Sequence, residues 1–165
     1  MKNPEIIIKK IINQLYKEDD FLIRNNVCER SLMFRIALYL QKEFPEYFVD
    51  CELNKMGTKQ NGKSCKIMQY NEGDEPKKVY IDIIIHRRKP DKDDSNYICI
   101  EIKRTKKGIE KDINRIKRMT KQDYAFEYQG NKYLFGYKYG FLLYLPKDLN
   151  KKSIRKFING IEESL

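Results

Sequence analysis

The sequence predicts an α/β protein, one sheet with helices packed on both of its faces. Three observations predict it. Apolar residues recur at helical spacing in four stretches, within 7–15, 32–40, 109–119 and 154–161. Short runs rich in β-branched and aromatic residues stand between them, at 47–53, 79–86, 97–103 and 134–145. The resulting order, α-α-β-(β)-β-β-α-β-α, is that of a layered α/β domain. At 165 residues the chain is long enough to bury a sizeable core as a single domain spanning 1–165.

Each element has a local reason. Asn3 followed by Pro4 suits a helix start, and Ile7, Ile8, Ile11, Ile12 and Leu15 give that helix one apolar face. Asp19 and Asp20 end or bend it. A second helix is expected from Asn26, with Glu29, Leu32, Met33, Ile36 and Leu40 on one stripe and Pro45 as its stop. Tyr47–Leu53 reads as the first strand. The stretch 54–76, with Gly57, Gly62 and Gly73, reads as a long polar excursion holding one short strand near Cys65–Tyr70. Val79–His86 and Tyr97–Lys103 are expected to pair as an antiparallel hairpin across a connector rich in turn residues. Ile109, Ile113, Ile116 and Met119 mark the next helix. Leu134–Leu145 holds one or two strands, with bends at Gly136 and Gly140. A last amphipathic helix is expected from Asn150, carrying Ile154, Phe157, Ile158 and Ile161.

Composition narrows the function classes. Hydrophobic residues at 41% and aromatics at 12% fit a folded globule, and 35% charged residues argue against a membrane protein. No apolar run approaches the ~20 residues that span a bilayer. The opening MKNPEIIIKKII is broken by Glu5 and lysines and lacks a small-residue cleavage site, so it reads as a helix and not a secretory signal. Cys28, Cys51, Cys65 and Cys99 form no C-x-x-C pair and the chain has 1 His, which argues against a Cys/His zinc site. Reduced thiols in the cytoplasm fit better than disulfides. The net charge of +10 favours a polyanionic partner such as nucleic acid.

The chemistry concentrates in Val79–Thr105, VYIDIIIHRRKPDKDDSNYICIEIKRT. Alternate strand residues share a face. Tyr97, Cys99, Glu101 and Lys103 therefore point one way, and Asp82, Ile84 and His86 share a face of the partner strand. If the register aligns the acid-bearing faces, Asp82 and Glu101 converge with Lys103 beside them. Two carboxylates suit a hard divalent cation such as Mg²⁺, which prefers oxygen ligands. The backbone carbonyl of Ile102 could add another. Such a cation polarises a phosphate and activates a bound water, and Lys103 could orient that water or help deprotonate it. The D…E-x-K spacing alone is common. Its location inside two isoleucine-rich runs strengthens it, because an unpaired buried charge costs several kcal/mol. Otherwise Glu101 and Lys103 would be ordinary residues of a solvated face.

Asp82 with Glu101-Ile-Lys103 in a hairpin followed by a helix resembles the PD-(D/E)xK, restriction-endonuclease-like nuclease superfamily. ERSLMFRIALYL, VDCELNK, YIDIIIHRR and ICIEIKR resemble a group of uncharacterised bacterial and phage-borne members. The resemblance covers most of residues 26–145 and departs from it at Ile81, where many members have proline. It implies a restriction-endonuclease-like αβββαβ core with a mixed central sheet flanked by helices, plus extra N- and C-terminal helices. It implies a Mg²⁺-dependent nuclease, with Mn²⁺ as a substitute, acting first on DNA, with RNA as the other candidate. Small members of this fold commonly form homodimers. It assigns Glu29, on the first core helix, to the metal site. Asn26-x-x-Glu29 is also a capping-box spacing.

Further candidates are weaker. Glu52 is a site carboxylate or a strand-end surface residue. His86 lies roughly 13 Å along the strand from Asp82, at ~3.3 Å per residue, and reads as a phosphate contact or a surface residue instead of a general base. Arg87, Arg88, Arg104, Lys106 and Lys107 are expected to cluster at the site's end of the hairpin and to position a nucleic-acid backbone. Lys111, Arg115, Lys117, Arg118 and Lys121 form another basic surface on the helix that follows. The aromatics Tyr124, Phe126, Tyr128, Tyr133, Tyr137 and Tyr139 read as core and edge residues. The alternative to a nuclease is a catalytically inactive module of the same fold that binds nucleic acid or a protein. A third reading makes the acidic strands a subunit interface.

Overall fold

The computed structural model of the chain describes residues 3–53, 55–58, 64–66, 68–69, 77–78, 80–87, 96–122, 125–128 and 131–164. Its first helix, α1 (Pro4–Glu18), starts where the Asn3 side chain accepts a hydrogen bond from the Glu5 N–H at 2.9 Å. Its buried face is Ile7, Ile8, Ile11, Ile12 and Leu15, as the periodicity predicts. A short helix, α2 (Asp20–Arg24), follows Asp19.

The next helix, α3 (Glu29–Glu43), begins at Glu29 and not at Asn26. Asn26 sits at φ 53, a left-handed conformation that Asn tolerates and a helix start does not use. No capping box forms. The Asn26 side chain instead accepts a hydrogen bond from Arg104 Nη2 at 3.1 Å.

Strands follow in the order β1 (Phe48–Leu53), β2 (Lys55–Thr58), β3 (Ser64–Lys66), β4 (Met68–Gln69), β5 (Lys77–Lys78), β6 (Ile81–His86) and β7 (Asn96–Lys103). After the helix α4 (Ile109–Thr120) come β8 (Ala125–Tyr128), β9 (Asn131–Leu134), β10 (Tyr139–Tyr144), β11 (Ser153–Ile158) and β12 (Ile161–Glu163). The excursion at 54–76 therefore carries β2, β3 and β4 in place of one strand, and two-stranded pairs form as β2–β3, β4–β5 and β8–β9. The hairpin connector at 88–95 lies outside the described residues.

The main sheet has six strands ordered β1-β6-β7-β10-β11-β12. It is mixed: β7 and β10 are parallel, joined through α4, and every other neighbouring pair is antiparallel. Its two faces carry separate cores. Ile83, Ile85, Ile98, Ile100, Ile102, Phe141 and Leu143 pack under α1 and α3. Ile84, Cys99, Leu142 and Phe157 pack under Ile113, Ile116 and Met119 of α4. Gly140 sits where α4 crosses β10, and a Cβ there would run into the methyls of Ile116 and Thr120. Among the described residues no helix is long and apolar enough to cross a membrane.

The C-terminal helix expected from Asn150 is absent. A 3₁₀ turn at Leu149–Lys151 leads into β11, and β11 turns back into β12. Asn159 and Gly160 make that turn at φ 48 and 77, the left-handed pair that an Asn-Gly hairpin turn requires. The spacing of Ile154, Phe157, Ile158 and Ile161 imitates a helix. Pairing with β10 and the Asn-Gly turn override it.

Candidate functional site

The site forms at one end of the β6–β7 ladder. Ile84 faces Cys99 and Ile83 faces Ile100, so the next step along the ladder brings Asp82 to Glu101. That is the register the acid-bearing faces need. Glu101 also faces Leu142 of β10 across the parallel pair, which places it on the α4 side of a central strand. Glu101 is 1% exposed, and Asp82 is half-buried. The Glu101 carboxyl does not lie on a solvated face.

At this end the β6–β7 pairing stops at Ile83 and Ile100, and carboxylates take its place. Asp82 Oδ2 accepts the Ile102 N–H at 2.7 Å, and Glu29 Oε1 accepts the Arg104 N–H at 2.8 Å. Two N–H groups of the β7 flank are satisfied by side chains where strand partners have run out. The N–H and C=O of one strand residue leave on the same flank, so the Ile102 carbonyl also faces the Asp82 side.

Helix α4 supplies two partners. Arg115 Nη1 donates to Glu101 Oε1 at 2.7 Å and lies 3.4 Å from Asp112 Oδ1. Lys103 Nζ lies 3.2 Å from Asp112 Oδ2 and 3.7 Å from Glu29 Oε2. These contacts join Glu29, Lys103, Asp112, Arg115, Glu101 and Asp82 into one cluster. Four carboxylates against two cations leave it with a formal charge of −2 when every group is ionised.

Burial, and then the neighbouring Asp82, push the Glu101 carboxyl well above the usual carboxylate range. Burial also raises Asp82, although the Ile102 N–H and the nearby Lys103 pull it back down. The two carboxyls stand close enough to act on each other, and Asp82 adds to the upward push on Glu101 while Arg115 draws it back. Burial works against the charge on Lys103, but Asp112, Glu29 and Asp82 outweigh it, so its pKa ends above the ordinary lysine value. Lys103 therefore keeps its proton at neutral pH.

Asp82, Glu101 and the Ile102 carbonyl are the oxygen types that a hard cation takes. Among the described residues no group of three or more His, Cys, Asp or Glu is arranged to hold a metal ion. Glu29 accepts from the Arg104 amide and lies near Lys103, and its charge reaches Asp82. The fit of a cation rests on two carboxylates, a carbonyl flank and the cluster's charge excess.

Several expectations need correction. His86 is 8% exposed, with Nε2 2.7 Å from Asp50 Oδ2, so it is neither a surface residue nor placed to touch phosphate. Arg104 is buried, its Nη2 donating to the Ile23 carbonyl at 3.0 Å as well as to Asn26. It ties α2 and the α2–α3 connection to the sheet and is not part of a basic rim. The hairpin is antiparallel, so Arg87 sits at the end opposite Arg104, Lys106 and Lys107. Arg87 is exposed and its guanidinium lies 5.0 Å from the Tyr47 ring centre. Arg88 lies outside the described residues. Lys106 and Lys107 are exposed beside the site. Glu52, half-buried at φ 48, pairs with Arg30 at 2.8 Å and stands in β1 between Cys51 and Leu53, which face Ile83 and Ile81, so it lies across from Asp82. Tyr137 is fully buried and Tyr139 partly so, while the side chains of Tyr124, Phe126, Tyr128 and Tyr133 lie outside the described residues.

Sequence reasoning missed Asp112 and misplaced Arg115. Asp112 stands three residues after Ile109 and four before Ile116, an acid inside the apolar stripe of α4. The same signal singles out Glu29 on α3. Arg115 turns inward to Glu101 instead of joining the exposed Lys111 and Arg118. No family model, no curated protein and no solved structure matches the chain.

Proposed function

We propose that the chain is a cytoplasmic, divalent-metal-dependent nuclease of the PD-(D/E)xK, restriction-endonuclease-like kind, hydrolysing phosphodiester bonds in DNA. The observation that carries this reading is the pairing of Asp82 with the buried Glu101 at the end of a central strand, inside a cluster whose formal charge is −2 when every group is ionised. A divalent cation offsets all of it.

Asp82 and Glu101 would hold Mg²⁺ or Mn²⁺, with the Ile102 carbonyl on the same flank. The ion, when bound, supplies polarisation of the phosphate and a lowered pKa for a bound water. Lys103, kept charged by Asp112, Glu29 and Asp82, acts as a fixed positive charge toward the phosphate and toward that water, and not as a base. Glu29 and Asp112 hold its ammonium in place. Asp82 and Glu29, bonded to the Ile102 and Arg104 amides, are set before any ligand arrives. Lys106 and Lys107, exposed beside the site, supply the charge that would meet a nucleic-acid backbone.

Cleavage of plasmid DNA with Mg²⁺ or Mn²⁺, with and without EDTA, tests this reading. Wild type should cut only with metal, and Lys103→Ala should cut far more slowly. Absence of metal-dependent cleavage of any DNA or RNA substrate would sink it. A second reading is a catalytically inactive module of this fold that binds nucleic acid or a protein. The Arg115–Glu101 pair at 2.7 Å favours it, because that guanidinium already neutralises a proposed ligand. Nucleic-acid binding that survives Asp82→Asn with Glu101→Gln, in a protein that never cleaves, would favour the module.

A further inference from the structure

Arg115 has an unusual position for a helix residue flanked by solvent-facing lysines and arginines. Its Nη1 reaches both Glu101 and Asp112, at 2.7 and 3.4 Å. Its Nε is buried and makes no hydrogen bond. A guanidinium offers five donors, and a buried donor without a partner is costly. The side chain is 23% exposed, so it lies at the boundary between the cluster and solvent. It is bound by charge but incompletely satisfied where it sits. Asp112 offers it a second anchor one helical turn away, which remains if Glu101 is taken by something else.

We propose that Arg115 is a resident counter-cation of this site: it occupies Glu101 until a divalent ion takes that carboxylate, and then turns its guanidinium to the phosphodiester. The inference rests on the nuclease reading above. Arg115 draws on the charge of this one buried carboxylate through Oε1, and a metal would draw on the same charge while its own charge repels the guanidinium, so each weakens the other's hold on Glu101. Released from Glu101 and still near Asp112, the guanidinium has its paired N–H donors available at the solvent boundary. The planar fork of those donors matches two oxygens of a phosphate group. Arg115 would thus contact substrate only when metal is present, which makes nucleic-acid binding at this site metal-dependent.

The test uses the full chain, with folding of each variant checked by circular dichroism. Mn²⁺ binding is measured by electron paramagnetic resonance for wild type, Arg115→Gln and the double variant Asp82→Asn with Glu101→Gln. Arg115→Gln should bind Mn²⁺ more tightly than wild type, by roughly tenfold, the usual size of coupling between two ligands. The double variant should lose the binding. Unchanged or weaker Mn²⁺ binding in Arg115→Gln would overturn the inference alone. Failure of wild type to bind Mn²⁺ would overturn the nuclease reading together with it.

Displacement itself is read in the wild-type protein, so the proposal stays testable if the variant does not fold. The NMR signal of the Arg115 Nε–H should shift, and its exchange with water should quicken, on adding Mg²⁺. A signal that stays fixed while metal binds would mean that Arg115 keeps its place, against the proposal. Fluorescence anisotropy with a short DNA duplex reads the last step. Ca²⁺ should tighten DNA binding by wild type, and Arg115→Gln should lose that gain. A gain that persists in the variant would refute the phosphate contact.

Discussion

The two faces of the six-stranded sheet are built from the same strands and serve opposite ends. On one face Ile83, Ile85, Ile98, Ile100, Ile102, Phe141 and Leu143 meet α1 and α3 in an apolar core. On the other, Ile84, Cys99 and Leu142 meet α4, and at one end of that face Asp82, Glu101, Lys103, Asp112 and Arg115 gather instead. Alternation along the strand makes the division possible, because adjacent residues such as Ile100, Glu101 and Ile102 answer to different faces. The apolar face makes the fold stable enough to carry a charge excess on the other. Such sites are where proteins commonly break local stability rules.

Substitutions on the two faces should therefore separate function from stability. The largest effect is expected from Asp82→Asn. Metal-dependent cleavage should fall by roughly 10³-fold or more, since a group that organises transition-state charge is lost. Asn can still accept the Ile102 N–H and removes one negative charge, so metal-free stability should hold or rise. Steady-state cleavage and urea unfolding of the same preparation check both halves.

Ile100→Ala, one residue from Glu101 on the opposite face, should do the reverse. It should cost about 2–5 kcal/mol of stability by urea unfolding. The protein that remains folded should cut at the wild-type rate. A cleavage defect larger than the unfolded fraction explains would blur the division between the faces. Gly140→Ala tests the α4 side without touching a charge. The new Cβ would collide with Ile116 and Thr120, at a cost of about 1–3 kcal/mol from overpacking.

The smallest effect is a pH dependence specific to the polar face. Burial raises both Asp82 and Glu101 above their ordinary values. A carboxyl raised in the fold stabilises it in the protonated form. That contribution is complete below the unfolded-state pKa and is lost as pH rises through the folded one. Without metal, wild type should lose stability from mildly acidic to neutral pH, and Asp82→Asn should lose less of it. Metal binding should show the mirror image: Mn²⁺ affinity should fall on acidification at a higher pH than an ordinary carboxylate would give. Thermal melts and Mn²⁺ titrations across that range decide both.

The apolar face was the more legible of the two in the sequence. The stripes Ile7–Leu15 and Leu32–Leu40 and the isoleucines of β6 and β7 show their period without reference to partners. On the polar face, alternation and register sufficed to bring Asp82 to Glu101, because both lie in one hairpin. What α4 contributes was hidden, since nothing local tells an arginine of a basic helix to turn inward. Arg104 and His86 were misread for the same reason. Their partners, Ile23 with Asn26 and Asp50, lie far away in the chain. The C-terminal strands differ: the Asn159-Gly160 turn is written locally in the sequence, and the helical spacing of Ile154, Phe157, Ile158 and Ile161 hides it.

On the proposed function, Asp82 and Glu101 together hold a divalent cation. Crystals grown with Mn²⁺ and measured at its absorption edge test it most directly. The expected result is one anomalous difference peak within bonding distance of both carboxyl groups, with the Glu101–Arg115 contact broken. A peak elsewhere, or none at the paired carboxylates while Arg115 stays on Glu101, would contradict it.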